Sequence, residues 1–219
     1  AARAIEVRNL QTGAMTREPY DALVLAPGAA PIRPALPGLD RAGVFFLRNL
    51  EDTDQIRAWL DQRRPDRAVV VGGGYIGLEM TENLARRGIG VTLIERTDQV
   101  MPPADPEMAV LVHAELKRQN VDLQLGRTVT GIESGPGDRL TVVTDGGHRF
   151  AAGLVLVAAG IRPEADLARQ AGLEIGALGG IRVDDQMRTS DPSIWAVGDS
   201  IEVRDYITGQ WTLIPLAGP

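Results

Sequence analysis

Val69-Val-Val-Gly-Gly-Gly-Tyr-Ile-Gly-Leu-Glu79 decides the reading of this chain. A β-branched run ends at Val71, glycines follow, and helical spacing begins at Tyr75, so that Gly72, Gly74 and Gly77 fill the glycine places of G-x-G-x-x-G. The context gives the pattern its meaning. A strand leads in, a helix leads out, and a second apolar run, Val91-Thr-Leu-Ile94, ends at Glu95, 95 − 77 = 18 residues after the last glycine. One glycine permits the tight turn, the next lets backbone amides approach a pyrophosphate, and the third lets helix and strand pack closely, with the helix's positive end aimed at the anion. Tyr75 and Ile76 open that helix. Glu95 is expected to accept from the adenosine ribose hydroxyls, which favours NAD because a carboxylate repels a 2′-phosphate. Arg96, immediately beside it, is able to turn toward such a phosphate, so NADP stays open.

On either side of this stretch, short apolar runs alternate with stretches of helical spacing, the pattern of parallel strands covered by helices. Asp21–Ala26, Arg67–Val71, Val91–Ile94 and Leu154–Ala158 are nearly all apolar, as strands covered on both faces should be. Between the second and third, Ile76, Met80 and Leu84 share one helical face, and Gly88 supplies a left-handed stop. Asp105 followed by Pro106 predicts the cap and first turn of a helix that ends near Asn120 and turns Met108, Leu111, Val112 and Leu116 inward. Upstream, Asn49 with Asp52 three positions later reads as a capping box before Ile56, Trp59 and Leu60, and Pro65 closes that helix. From Val121 to Phe150 the runs Val121–Leu125, Thr128–Ile132 and Leu140–Thr144 are half-alternating and broken by Gly135-Pro136-Gly137 and Asp145-Gly146-Gly147, which suggests an antiparallel meander.

Composition narrows the chemistry. The chain has 219 residues, a net charge of −6 and no cysteine, so it holds no thiolate nucleophile, disulfide or iron–sulfur ligand of its own. Mild acidity and nine aromatic residues argue against a nucleic-acid partner. The longest apolar runs fall short of the roughly 18 residues that suggest a membrane span. His113 and His148 lack companions at metal or triad spacing and read as structural or surface residues, and neither a Gly-x-Ser-x-Gly elbow nor a Walker loop is present. No metal site and no catalytic acid–base group is expected in this segment. The opening Ala1-Ala2-Arg3 has neither an initiator Met nor the pattern of a secretion signal, as expected of a piece of a longer chain; the location is expected to be cytoplasmic.

Four stretches in order, Asp21–Pro31, Val69–Glu79, Leu156–Pro163 and Thr189–Asp199, together resemble the two-dinucleotide flavoprotein disulfide reductases, and the closing Ile214–Pro219 is most similar to the coenzyme A disulfide reductase and NADH oxidase branch. The resemblance implies an α/β protein: a Rossmann-like, three-layer NAD(P)-binding domain with an antiparallel meander over 44–157, inserted in an FAD-binding domain represented by 1–43 and 158–219. It implies Tyr75 as the aromatic covering the nicotinamide pocket, Glu79 as a carboxylate near flavin and nicotinamide, Gly160 lining the nicotinamide side through its backbone, and Asp199, with Gly198 permitting close approach, accepting from the flavin ribityl chain. Tyr75 packed at a helix start, Glu79 facing solvent and Asp199 capping its own loop are the competing readings.

The first glycine motif for FAD, the redox cysteine and the C-terminal dimerisation domain of such proteins have no counterpart here, so the chain is expected to be an inactive piece of a longer, dimeric enzyme. Pro27 stands where similar proteins usually carry Thr. The implied reaction in the complete enzyme takes hydride from the nicotinamide to FAD and on to a small disulfide, a sulfenic acid or dioxygen. Two other readings are a ferredoxin reductase-type flavoprotein and a non-catalytic NAD-sensing module.

Overall fold

The structure, a computed structural model, describes residues 3–137 and 139–215. The chain forms two compact units, one from the residues up to Ala30 together with those from Arg162 onward, the other from Pro31–Ile161.

The central unit is built on a five-stranded parallel sheet. Its strands are β1 (Val44–Phe45), β2 (Arg67–Val71), β3 (Gly90–Ile94), β4 (Asp122–Gln124) and, returning last in the chain, Leu154–Val157, which is β8. The spatial order is β1-β8-β2-β3-β4. Helices α1 (Leu50–Arg63), α2 (Tyr75–Arg86) and α3 (Pro106–Arg118) make the crossovers. Alternate residues of one strand serve two cores. Ala68, Val70, Val91, Leu93, Leu154 and Leu156 pack with Ile56, Leu60, Leu84 and Leu116 from the helices. Val69, Ile94, Val155 and Val157 pack with Val129, Ile132, Leu140 and Val142. Those last four lie in a three-stranded antiparallel sheet of β5 (Val129–Ser134), β6 (Leu140–Thr144) and β7 (Arg149–Ala152), ordered β7-β6-β5. Three layers result, and the strands between them have no polar side to display because both faces are covered.

Local signals explain most boundaries. Asn49 and Asp52 form the expected capping box at the start of α1, and Trp59 donates from Nε1 to the Gly153 carbonyl at 2.9 Å, tying α1 to the entry of β8. Gly88, at φ 78°, ends α2 in the left-handed region. Other expectations are corrected. Asp105 sits at the start of α3 but its side chain makes no capping bond. Met108 and Leu111 are 58% and 64% exposed, and Ile76 is 37% exposed, whereas Ala109, Leu116 and Leu84 are buried. Asp122–Gln124 joins the parallel sheet as its edge beside β3 rather than the meander, because the crossover through α3 delivers it there. Its place in the meander is taken by Arg149–Ala152.

The units divide at residues 30/31 and 161/162, where the sequence reading placed boundaries at 43/44 and 157/158. Residues 31–43 belong with the central unit for a physical reason. Ile132 donates its N–H to the Pro37 carbonyl at 2.9 Å, Arg41 donates to the Ile132 carbonyl and the Ser134 hydroxyl, and Leu36 and Leu39 pack on the meander core.

In the outer unit, Leu23–Leu25 pairs in parallel with Ile194–Ala196 as a separate two-stranded sheet. Val24 is 60% exposed there, so this run is not covered on both faces within the described residues, contrary to the pattern expected of a sheet centre. Antiparallel pairing joins Ala4–Arg8 to Met15–Pro19. The core of this unit gathers Leu25, Ala168, Leu173, Ile181, Val183 and Ala196. Beneath the turn from Gly176 to Gly180, the fully buried Glu202 carboxylate accepts from the Leu178 N–H and from Arg182.

Candidate functional site

The C-terminal ends of β2, β3 and β8 bring the glycine loop together with the segments after Ile94 and Val157. Gly72 has φ 108°, and a Cβ there would run into the Ala158 carbonyl. Neither the backbone angle nor the space admits a side chain. A Cβ on Gly77 would strike the Gly72 carbonyl oxygen, so the close contact of α2 with its own loop requires glycine. Gly74 is different. It forms the cap position of α2 with extended backbone, makes no side-chain capping bond, and has nothing within 4 Å of where its Cβ would stand. The first turn of α2 carries no acidic residue. With no capping side chain and no acid in that turn, the helix's own residues leave its leading N–H groups and positive end to an outside acceptor, an arrangement suited to a bound anion.

Glu95 closes the loop from the other side. The residue is 8% exposed. Its Oε2 accepts the Gly73 N–H at 2.6 Å, and its Oε1 accepts the Thr97 N–H at 2.8 Å and the Thr97 hydroxyl at 2.9 Å. A carboxylate offers about four acceptor positions, and these bonds occupy all but about one of them. The side chain is turned into the protein as a brace for the loop. Arg96 is exposed and is the cation that stands beside it.

The remaining predicted residues fall in three places. Tyr75, 51% exposed, and Ile76 lie at the start of α2, and Glu79 is exposed one turn further along it. Gly160 follows β8, where the Ala158 N–H bonds to the Val71 carbonyl at 2.8 Å; its φ is 107°, and its carbonyl accepts the Ile32 N–H at 2.9 Å. Gly198, at φ 76°, and the exposed Asp199 belong to the outer unit, following the strand Ile194–Ala196.

Sequence reasoning missed four contributors. Gly73 donates to Glu95, and a Cβ on it would lie 2.9 Å from Val100 Cγ1; the signal was the third glycine of an unbroken run. Val100 is fully buried against the loop. Met101, in the left-handed region at φ 52°, donates its N–H to the Gly73 carbonyl at 2.8 Å. Thr97, two residues after the predicted acid, holds its second oxygen.

A cavity of about 880 Å³ lies at the opposite end of β2, lined by Arg41, Trp59, Arg63, Arg64 and Arg139. Three of these cations serve local structure: Arg41 is held by Ile132 and Ser134, Arg139 pairs with Asp66 at 3.2 Å, and the Arg63 guanidinium lies over the Trp59 ring. Among the described residues no cluster of three or more His, Cys, Asp or Glu side chains is arranged to hold a metal, and no helix is long and apolar enough to cross a membrane.

These features agree with what the chain is similar to. An NAD(P)H sulfur oxidoreductase (CoA-dependent) of Pyrococcus abyssi is 41% identical over 202 residues, which cover 91% of this chain and 44% of the relative. The reduced CoADR-RHD structure of Bacillus anthracis superposes with a TM-score of 0.93 at 44% identity, over 98% of this chain and 38% of that one. The water-forming NADH oxidase of Lactobacillus brevis, bound to NADH, gives a TM-score of 0.89 at 33% identity, over 98% and 47%. The chain thus spans less than half the length of each. A family model described as pyridine nucleotide-disulphide oxidoreductase matches residues 1–217; with the parallel sheet, the glycine loop and the order of the motifs, this shows that the chain belongs to the pyridine nucleotide-disulphide oxidoreductase family.

Proposed function

We propose that the central unit binds a nicotinamide dinucleotide, NADH or NADPH, with its pyrophosphate against the N-terminus of α2. The chain then serves as the nucleotide-binding part of an FAD-dependent oxidoreductase whose terminal acceptor is a disulfide, a sulfenic acid or dioxygen. The observation that carries this reading is the combination at Gly74: a helix start with no capping side chain, no acidic first turn and open space where a side chain would stand.

The residues present fit the group. The leading amides of α2 would hold the pyrophosphate, which needs donors and positive potential and no metal. Tyr75, exposed at the helix start, would cover the nicotinamide; Glu79 would lie near it and near the flavin, and Gly160 would line it through backbone. Ile76 supplies an amide of the same turn. Glu95 keeps the loop in its open shape, and Arg96 would meet a 2′-phosphate where the dinucleotide carries one. Gly198 and Asp199 of the outer unit would receive the flavin ribityl chain, with 1–43 and 158–219 supplying FAD-binding segments. When bound, the nicotinamide supplies the hydride and the flavin accepts it. The protein's part is to bind, orient and keep the two dinucleotides' polar groups paired. NADH added to the chain, followed by nicotinamide fluorescence, tests this reading: saturable binding that competes with ADP-ribose supports it, and no binding at millimolar nucleotide contradicts it.

A further inference from the structure

One polar side chain on the inner side of α3 is not accounted for by packing alone. His113 lies between the buried Ala109 and Leu116 on that helix, and its Nε2 accepts the Val100 N–H at 3.2 Å. To accept there, the ring must be neutral with its proton on Nδ1. The bond reaches a segment already tied to the glycine loop. Met101, the next residue, donates to the Gly73 carbonyl. Val100 fills the space beside Gly73, and Gly73 donates to Glu95. Both the N–H and the carbonyl of Gly73 are thus held by the segment from Glu95 to Met101, and that segment is held by α3 through His113. Another bond shapes the segment from within: the Gln99 amide donates to the Ala104 carbonyl.

We propose that His113 is a positioning residue of the nucleotide site, fixing the 95–101 segment so that Gly73 and Gly74 present the α2 N-terminus to the dinucleotide. This rests on the nucleotide reading above. His113 touches neither ligand nor the amides themselves; it acts through Val100 and Met101. A ring that merely filled space would be replaceable by any apolar side chain of its size, whereas an acceptor is replaceable by another acceptor.

The test compares wild-type chain, His113→Leu and His113→Gln, measuring NADH affinity and, without nucleotide, hydrogen exchange at the Gly73, Val100 and Met101 amides. Loss of one hydrogen bond of ordinary strength should weaken NADH binding by about fivefold in His113→Leu. The same variant should speed exchange at all three amides, and His113→Gln should recover most of both effects. Equal affinity and equal exchange in wild type and His113→Leu would overturn the proposal, as would a Gln variant no better than the Leu variant. Failure of the wild-type chain to bind NADH is a distinct result, seen before any variant is made, and removes the site reading and this proposal together.

Discussion

The N–H of Gly73 donates to Oε2 of Glu95 at 2.6 Å, so the acid that follows β3 grips the glycine loop that follows β2. Across two parallel neighbours, the strand carrying Glu95 thereby sets the shape of the turn carrying the helix start. A charge-assisted bond of this kind contributes more than a neutral one and is strengthened by exclusion from water.

Glu95→Ala should therefore weaken NADH and NADPH alike. Removal of an acceptor from a charge-assisted bond costs about 1.5–3 kcal/mol, or about ten- to a hundredfold in affinity if the loop order is lost with it. Calorimetric titration with each nucleotide checks this. An Ala variant that binds NADPH much better than NADH, with NADPH affinity intact, would show that the carboxylate faces the ribose instead.

Arg96 is the cation that would meet a 2′-phosphate in the proposed site. It is exposed beside the braced acid, and Arg96→Ala should lower NADPH affinity by about fivefold while changing NADH affinity by less than about twofold, since an exposed ion pair contributes about 1 kcal/mol. The NADPH difference should shrink as salt is raised. Equal losses for the two nucleotides, measured side by side, would remove Arg96 from this role.

Gly77→Ala places a methyl group against the Gly72 carbonyl. Backbone must move to admit it, at a cost of about 1–3 kcal/mol, and the movement displaces α2 from its loop. Thermal unfolding should show a lower midpoint and nucleotide titration a weaker affinity. A variant of unchanged midpoint and affinity would mean that the contact is not a constraint.

The parts of the fold set by local chemistry were legible in the sequence. The capping box at Asn49, the left-handed stop at Gly88 and the apolar strands of the central sheet are all short-range or periodic signals, and each marks an element that the structure contains. The parts set by tertiary choice were not. Alpha-helical periodicity identified α3 but did not say which of its many apolar residues face inward, so Met108 and Leu111 were assigned to the core they turn away from. In the same way, the position of Glu95 was readable from its spacing, but its direction depends on which amides lie within reach of its rotamer, here Gly73 and Thr97. The segment from Arg96 to Asp105 has no periodicity at all, and its ties to Gly73 and His113 join residues far apart in the chain.

The most direct measurement pairs affinity with stability in one variant. The Cβ position of Gly74 is open, and the residue caps α2; Asp is a favoured capping residue, worth about 0.5–2 kcal/mol relative to a residue that cannot cap, though only a few tenths relative to glycine. Gly74→Asp should thus fold with an equal or higher thermal midpoint. Its NADH affinity should fall by at least about tenfold, because its carboxylate would stand against the pyrophosphate. A folded Gly74→Asp chain that binds NADH as tightly as the wild type would contradict the placement of the dinucleotide at the start of α2.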